Sequence, residues 1–251
     1  MLMRFKYLYI TIFIVFVSLL NFHKAEFIKS GTTIICVVRN DTVWIGADSK
    51  IVDQFGKFIG IGCKVFSGKN FVFANSGLFG YGKYNIPNIA YRSIGEYFTI
   101  NDLWLFKRYA IKILYEIGEN MSTRKIYKAG QSEEVHFSTI FATNTNGNTN
   151  IFFDTYELEV GCCNRGSVYA IVKVDSVFAS GISTNVLTYK AGIYDEIKSM
   201  DANRTEDIPI FIKKLITIEI NAHPDSVGYP INIIRVTKNK IDWIDKHPPC
   251  K

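Results

Sequence analysis

Three side chains of complementary chemistry stand at equal intervals near the start of the chain. Thr32, Asp48 and Lys64 are each 16 positions from the next. A neutral threonine hydroxyl is a weak nucleophile, so a hydrolase that uses one needs a base beside it and cations that favour its deprotonated state. Thr32 follows Gly31, and a cut between them frees an α-amino group with an ordinary pKa of about 7.7 to 8.0, a base carried by the nucleophile's own residue. A nearby lysine lowers that pKa, and an aspartate keeps the lysine charged and in place. These types and spacings permit acyl transfer through Thr32, with Asp48 and Lys64 as the activating pair.

Such a set works only if rigid elements deliver it to one place. The β-branched runs 33–38 and 43–47, around Arg39-Asn40-Asp41-Thr42, read as a hairpin with Thr32 before its first strand and Asp48 after its second. Residues 58–63, 64–66 and 71–74 continue as short strands. The period then changes: residues 87–98 and 102–121 place apolar side chains at helical spacing, with Leu105, Tyr109, Ile113 and Ile117 four apart and Asn101 or Asp102 as the cap. Residues 137–142, 151–155, 159–163, 168–172 and 176–178 are again strand-like, and Asn146-Gly147 is the strongest hairpin turn in the chain. Two more helices are expected at 184–200 and 206–222, with Thr205 and Asp207 as capping candidates, before a closing hairpin at 230–236 and 241–244. This order excludes an alternating βα sheet. It predicts an α+β fold of four layers, αββα, with two antiparallel sheets face to face between helix pairs. With no linker, repeat or low-complexity tract, everything from about Ser30 onward reads as one domain.

Residues 31–77 resemble proteasome β subunits and the related bacterial proteasome-like peptidases, members of the N-terminal-nucleophile hydrolases. The resemblance rests on Gly31-Thr32-Thr33, on Gly46-Ala47-Asp48-Ser49-Lys50, on Lys64 at its spacing, and on Asn75-Ser76-Gly77 after an apolar strand. It implies the four-layer αββα fold, with Thr32 as nucleophile and amine base, Asp48 and Lys64 as activators, and the Gly77 backbone N–H as an oxyanion donor. It also implies that Ile51, Gly62 and Asn75 line the pocket for the substrate residue before the cut, which Asn75 makes more polar, and that Lys50 holds the loop beside the site. The second half departs from the family pattern. Ile182 in Ala179-Ser180-Gly181-Ile182-Ser183 takes the place of a family serine, with Ser183 one residue on. In Pro224-Asp225-Ser226-Val227-Gly228 the family's aspartate and serine are displaced by one position, so that Val227 aligns with the serine. By resemblance the activity is a threonine-type endopeptidase acting on peptide or protein through an acyl-enzyme, and the assembly is a homo-oligomeric ring whose helix pairs make contact. An ATP-driven unfoldase feeds such chambers in the cytosol, and an exported location speaks against one here. Two alternatives use the same residues: an amidase for small amides on the same nucleophile, and an inactive ring-forming structural subunit in which Thr32 never becomes N-terminal.

The segment before Thr32 bears on where this chemistry starts. Residues 7–22 are 16 consecutive uncharged, mostly apolar residues behind a short basic head containing Arg4 and Lys6. That run is shorter than the roughly 20 residues of a membrane span and suits a signal h-region. Residues 1–25 therefore read as a signal peptide, or as an uncleaved anchor because His23 stands where a small residue is preferred. Residues 26–31 form a short propeptide, and residues 32–251 the hydrolase domain. The expected location is periplasmic or secreted, with membrane anchoring as the alternative. Removing the first 25 residues takes Arg4, Lys6 and Lys24 from the formal charge of +6 and leaves no basic run, which argues against a nucleic-acid partner. Five cysteines, Cys36, Cys63, Cys162, Cys163 and Cys250, show neither CxxC nor Cys/His metal spacing, so no metal or organic cofactor is expected. They read as core thiols or as one long-range disulfide.

Overall fold

The computed structural model describes residues 28–53, 56–81, 84–123, 134–145, 148–159, 163–171, 176–181, 207–248 and 250. Within them the chain is a mixed α+β protein in which every strand pairing is antiparallel. The first hairpin joins β2 (Thr33–Arg39) to β3 (Thr42–Ala47), with Arg39 opposite Thr42. Asn40 and Asp41 turn it with φ of 47° and 55°, the positive values that a two-residue hairpin matched to strand twist requires. β2 and β3 lie in a five-stranded sheet of order β13-β2-β3-β14-β15, completed by β13 (Ser176–Gly181), β14 (Asn232–Val236) and β15 (Ile241–Asp245). A second sheet has the order β12-β11-β10-β7-β6, from β6 (Val65–Ser67), β7 (Phe71–Gly77), β10 (Glu134–Thr145), β11 (Asn148–Glu159) and β12 (Cys163–Ile171).

Three helices lie among the described residues. Asn85 caps α1 (Ile86–Ile94), its side chain accepting from the Asn88 N–H at 3.0 Å with Pro87 in the first turn. α2 (Ile100–Thr123) starts from Thr99, whose N–H donates to Asp102 Oδ2 at 2.7 Å while Asp102 N–H returns to the Thr99 carbonyl at 3.0 Å. The cap is thus Thr99, with Asp102 as its reciprocal partner, and not Asn101 or Asp102. α3 (Asp207–Ala222) is the last helix.

Alternate side chains of one strand enter different hydrophobic clusters, which is why these strands read as continuous apolar runs. Ile35 and Val37 of β2 pack with Ile212, Leu215 and Ile216 of α3. Phe71 and Phe73 of β7 pack with α1, α2 and an aromatic group in which Phe73 and Phe141 centroids are 4.8 Å apart. A third cluster draws Ile34, Cys36 and Ile45 from the first sheet together with Val72, Ala74 and Ile140 from the second. Each fully buried side chain of this size contributes about 1.5–3 kcal/mol.

The largest departure from expectation is a third sheet, of order β5-β4-β1-β8-β9. Its central strand is β1 (Ile28–Ser30), which lies in the segment read as a propeptide. β1 pairs with β4 (Lys50–Asp53) through Ser30 and Val52 and with β8 (Gly80–Tyr81) through Ile28 and Tyr81. β5 (Phe58–Ile61) and β9 (Tyr84–Asn85) close the edges. The run expected over 159–163 is divided, since β11 ends at Glu159 and β12 begins at Cys163. The helix expected over 184–200, the Asn146-Gly147 turn and the signal segment fall outside the described residues. Among the described residues no helix is long and apolar enough to cross a membrane.

Candidate active site

Thr32, Asp48 and Lys64 meet around one carbonyl, that of Gly31. The hairpin brings Thr32 and Asp48 to the same end: Asp48 N–H donates to the Thr33 carbonyl at 3.3 Å, and Thr33 N–H returns to Asp48 Oδ1 at 2.8 Å. Lys64 enters from the irregular segment between β5 and β6, and its Nζ lies 3.0 Å from both Asp48 oxygens and 2.7 Å from the Gly31 oxygen. These three acceptors match the three protons of an ammonium. The Thr32 hydroxyl donates to the same Gly31 oxygen. All three side chains are buried.

Asp48 is held from several elements at once. Its Oδ2 accepts the backbone N–H of Lys50 at 3.1 Å and of Gly228 at 3.1 Å, in addition to Lys64. Burial pushes the Lys64 pKa below the usual lysine value, and the Asp48 charge and its hydrogen bond oppose that shift. Lys64 is thus held in a buried place by one carboxylate that is itself fixed by backbone donors.

Gly31 joins β1 to β2 with φ of 94°, a conformation that side-chain-bearing residues rarely adopt. A Cβ added there would lie 2.6 Å from the Ser226 carbonyl oxygen. The 224–228 segment thus reaches the site through its backbone, by the Ser226 carbonyl on one side and the Gly228 N–H on the other. The side chain of Asp225 is exposed, Ser226 is half-buried, and Val227 is buried in the cluster under α3. Lys50 Nζ donates to the Pro224 carbonyl and ties this loop down. Ile182 and Ser183 lie outside the described residues, although β13 brings Gly181 opposite Thr33.

Of the residues assigned to the substrate pocket, Ile51 and Gly62 are in contact, since a Cβ on Gly62 would lie 2.2 Å from Ile51 Cδ1 and 3.5 Å from Phe79 Cζ. Asn75 is buried, with Nδ2 donating to the carbonyls of Ser76 at 3.0 Å and Leu78 at 3.2 Å, and Oδ1 has no partner among the described residues. Its N–H donates to the Lys64 carbonyl at 3.1 Å, which ties the strand ending in Gly77 to the lysine segment. Gly77 closes β7 with φ of 78°. On the Gly31 oxygen itself, the donors are Lys64 and Thr32.

Sequence reasoning missed Ser49, Gly228, Asn232 and His247. Ser49 N–H donates to the Gly228 carbonyl at 3.1 Å, Asn232 Nδ2 to Ser49 Oγ at 2.8 Å, and His247 N–H to Asn232 Oδ1 at 2.7 Å. The local signals were Ser49 within the Asp48 motif and Gly228 at the end of the Pro224–Gly228 stretch, while Asn232 and His247 had none. Among the described residues no three His, Cys, Asp or Glu side chains are grouped to hold a metal ion. No protein-family model and no curated protein matches the chain.

Proposed function

We propose that the chain is a threonine-type peptidase of the N-terminal-nucleophile class that first cuts itself between Gly31 and Thr32. The observation that carries this reading is Lys64 Nζ, 3.0 Å from Asp48 and 2.7 Å from the Gly31 carbonyl oxygen. Attack of Thr32 Oγ on the Gly31 carbonyl carbon forms a tetrahedral oxyanion, and Lys64 stabilises the charge that develops on that oxygen. Collapse breaks the Gly31–Thr32 C–N bond, and the hydroxyl proton ends on the departing nitrogen. Water then hydrolyses the ester and leaves Thr32 with a free amine and hydroxyl. In later turnovers that amine is the base, Asp48 and Lys64 hold it in its neutral form, and the resemblance assigns the Gly77 N–H as the donor to the substrate oxyanion.

The third sheet favours peptides over small amides. Without β1, the strands β4 and β8 face each other across a gap one strand wide, a slot for an extended backbone. The finer αββα architecture belongs to the same proposal and is supported by one cluster shared between the two larger sheets and by helices packed in the other two. An oligomer is supported by the exposed aromatic and apolar face of α1 and α2, with Tyr91, Trp104, Tyr109, Ile111 and Tyr115. An exported location is supported by a disulfide between Cys63 and Cys250.

A threonine-directed β-lactone tests the reading. Covalent labelling of the processed chain at Thr32, lost in Thr32→Ala together with peptide turnover, is expected. A processed wild type that neither labels nor cleaves peptides would contradict it and favour a structural subunit.

A further inference from the structure

The Cys63–Cys250 disulfide joins positions 187 apart, and one end is the residue immediately before Lys64. Residues 62–64 form no part of a strand, so no continuous ladder fixes the backbone that presents Lys64. Two backbone hydrogen bonds hold this segment, from Gly62 N–H to the Ser49 carbonyl at 2.8 Å and from Asn75 N–H to the Lys64 carbonyl at 3.1 Å. The covalent tie is the third. The same C-terminal segment makes a second approach through His247, Asn232 and Ser49, the neighbour of Asp48. His247 and Cys250 are therefore attached beside both members of the activating pair.

We propose that this disulfide positions Lys64 and makes self-cleavage at Gly31–Thr32 conditional on an oxidising compartment. The inference rests on the self-cleaving peptidase described above. In a reducing environment the two thiols leave the 62–64 segment less constrained, Lys64 is not held on the Gly31 carbonyl, and the chain stays a dormant precursor. On export, thiol–disulfide exchange with a disulfide oxidant joins Cys63 to Cys250, and the oxidant leaves as two thiols carrying the two electrons and two protons. Cys36 does not compete for this exchange, because it is buried and burial pushes its thiol up to about 12.

The test uses the full chain purified under dithiothreitol, with half then oxidised by glutathione disulfide, alongside Cys63→Ser/Cys250→Ser. Cleavage at 31–32 is followed by intact mass. A second readout, in Thr32→Ala chains, is the rate at which acetic anhydride modifies Lys64, mapped by peptide mass spectrometry. The expected result is self-cleavage slower on the order of 10²-fold without the disulfide, with Lys64 modified at least about ten-fold faster while circular dichroism still shows a folded chain. If the serine pair fails to fold, Cys63→Ala/Cys250→Val refills the space of the sulfurs with apolar atoms. Equal cleavage and equal Lys64 protection with and without the bond overturn the proposal. Disulfide-dependent protection in a chain that never cuts at 31–32 supports the positioning role and refutes the self-cleaving reading instead.

Discussion

Two buried lysine–aspartate pairs share an Nζ–Oδ1 distance of 3.0 Å and differ in what surrounds them. Asp48–Lys64 ties β2, the start of β4 and the Gly228 loop to one carbonyl at a chain junction. Lys107–Asp154 lies between α2 and β11, with Tyr156 OH 3.5 Å from Asp154 and the Trp104 ring 5.4 Å from Lys107. Each pair carries a desolvation cost, visible as a lowered pKa for Lys64 and a raised one for Asp154, with burial the leading cause in both. Distance and burial alone do not separate a working pair from a packing pair. What separates them is a third contact, that of Lys64 with the Gly31 carbonyl oxygen, on which the proposed self-cleavage rests.

That contrast can be broken most directly by removing each lysine. Lys64→Met and Lys107→Met should both destabilise by about 3–5 kcal/mol, because each leaves a buried carboxylate without its cation. Only Lys64→Met should slow self-cleavage, on the order of 10³-fold, when the folded variants are followed by intact mass. Comparable slowing in both would make the two pairs equivalent. The double variant Lys107→Met/Asp154→Leu replaces the second pair with apolar groups and should stay within about 1–2 kcal/mol of wild type with its cleavage rate unchanged.

Gly31→Ala comes next in expected effect. The strained φ and the Ser226 carbonyl at 2.6 Å should lower precursor stability by about 1–3 kcal/mol and slow self-cleavage about ten-fold or more. Once Thr32 has been freed by an added protease site, peptide turnover should be normal, since residue 31 has left. Impaired turnover of that processed form would show that Gly31 matters for something other than the junction.

The pH profile sharpens the comparison further. Turnover should rise with pH as the Thr32 amine loses its proton, then fall as Lys64 loses its own below the ordinary lysine value of 10.5. Stability should move the opposite way on that alkaline limb. The native state holds fewer protons than the unfolded chain between the depressed pKa and 10.5, so stability rises with pH there. An alkaline limb at or above 10.5 would remove the charged, buried lysine from the account.

The smallest effect concerns Asp154. Its raised pKa means that its contribution to stability is fully present below the ordinary 3.8 and is lost as pH rises through the shifted value. Thermal melts from about pH 3.5 to about 7 should show wild type losing stability relative to Lys107→Met/Asp154→Leu as pH rises.

The sequence carried the first hairpin, α1, α2, α3 and the closing hairpin, because their periods and turn residues are local. β1, β4, β8 and β9 were not legible: each has two to four residues, too few for a period, and β1 is a strand only because neighbours pair on both sides. The same division holds at the site. Thr32, Asp48 and Lys64 could be singled out from residue type and spacing, and the structure brings them together. The Gly228 N–H on Asp48, the Asn232 bridge to Ser49 and the pairing of Cys63 with Cys250 join positions roughly 180 residues apart, which no local pattern encodes.

The central claim is that the Gly31–Thr32 bond is the chain's own first substrate. Intact mass and N-terminal sequencing of the oxidised full-length protein, beside Thr32→Ala prepared identically, test it directly. The account predicts Thr32 as the first residue of the wild type and an uncut Gly31–Ala junction in the variant. A folded, oxidised wild type that keeps Gly31 joined to Thr32 would contradict it.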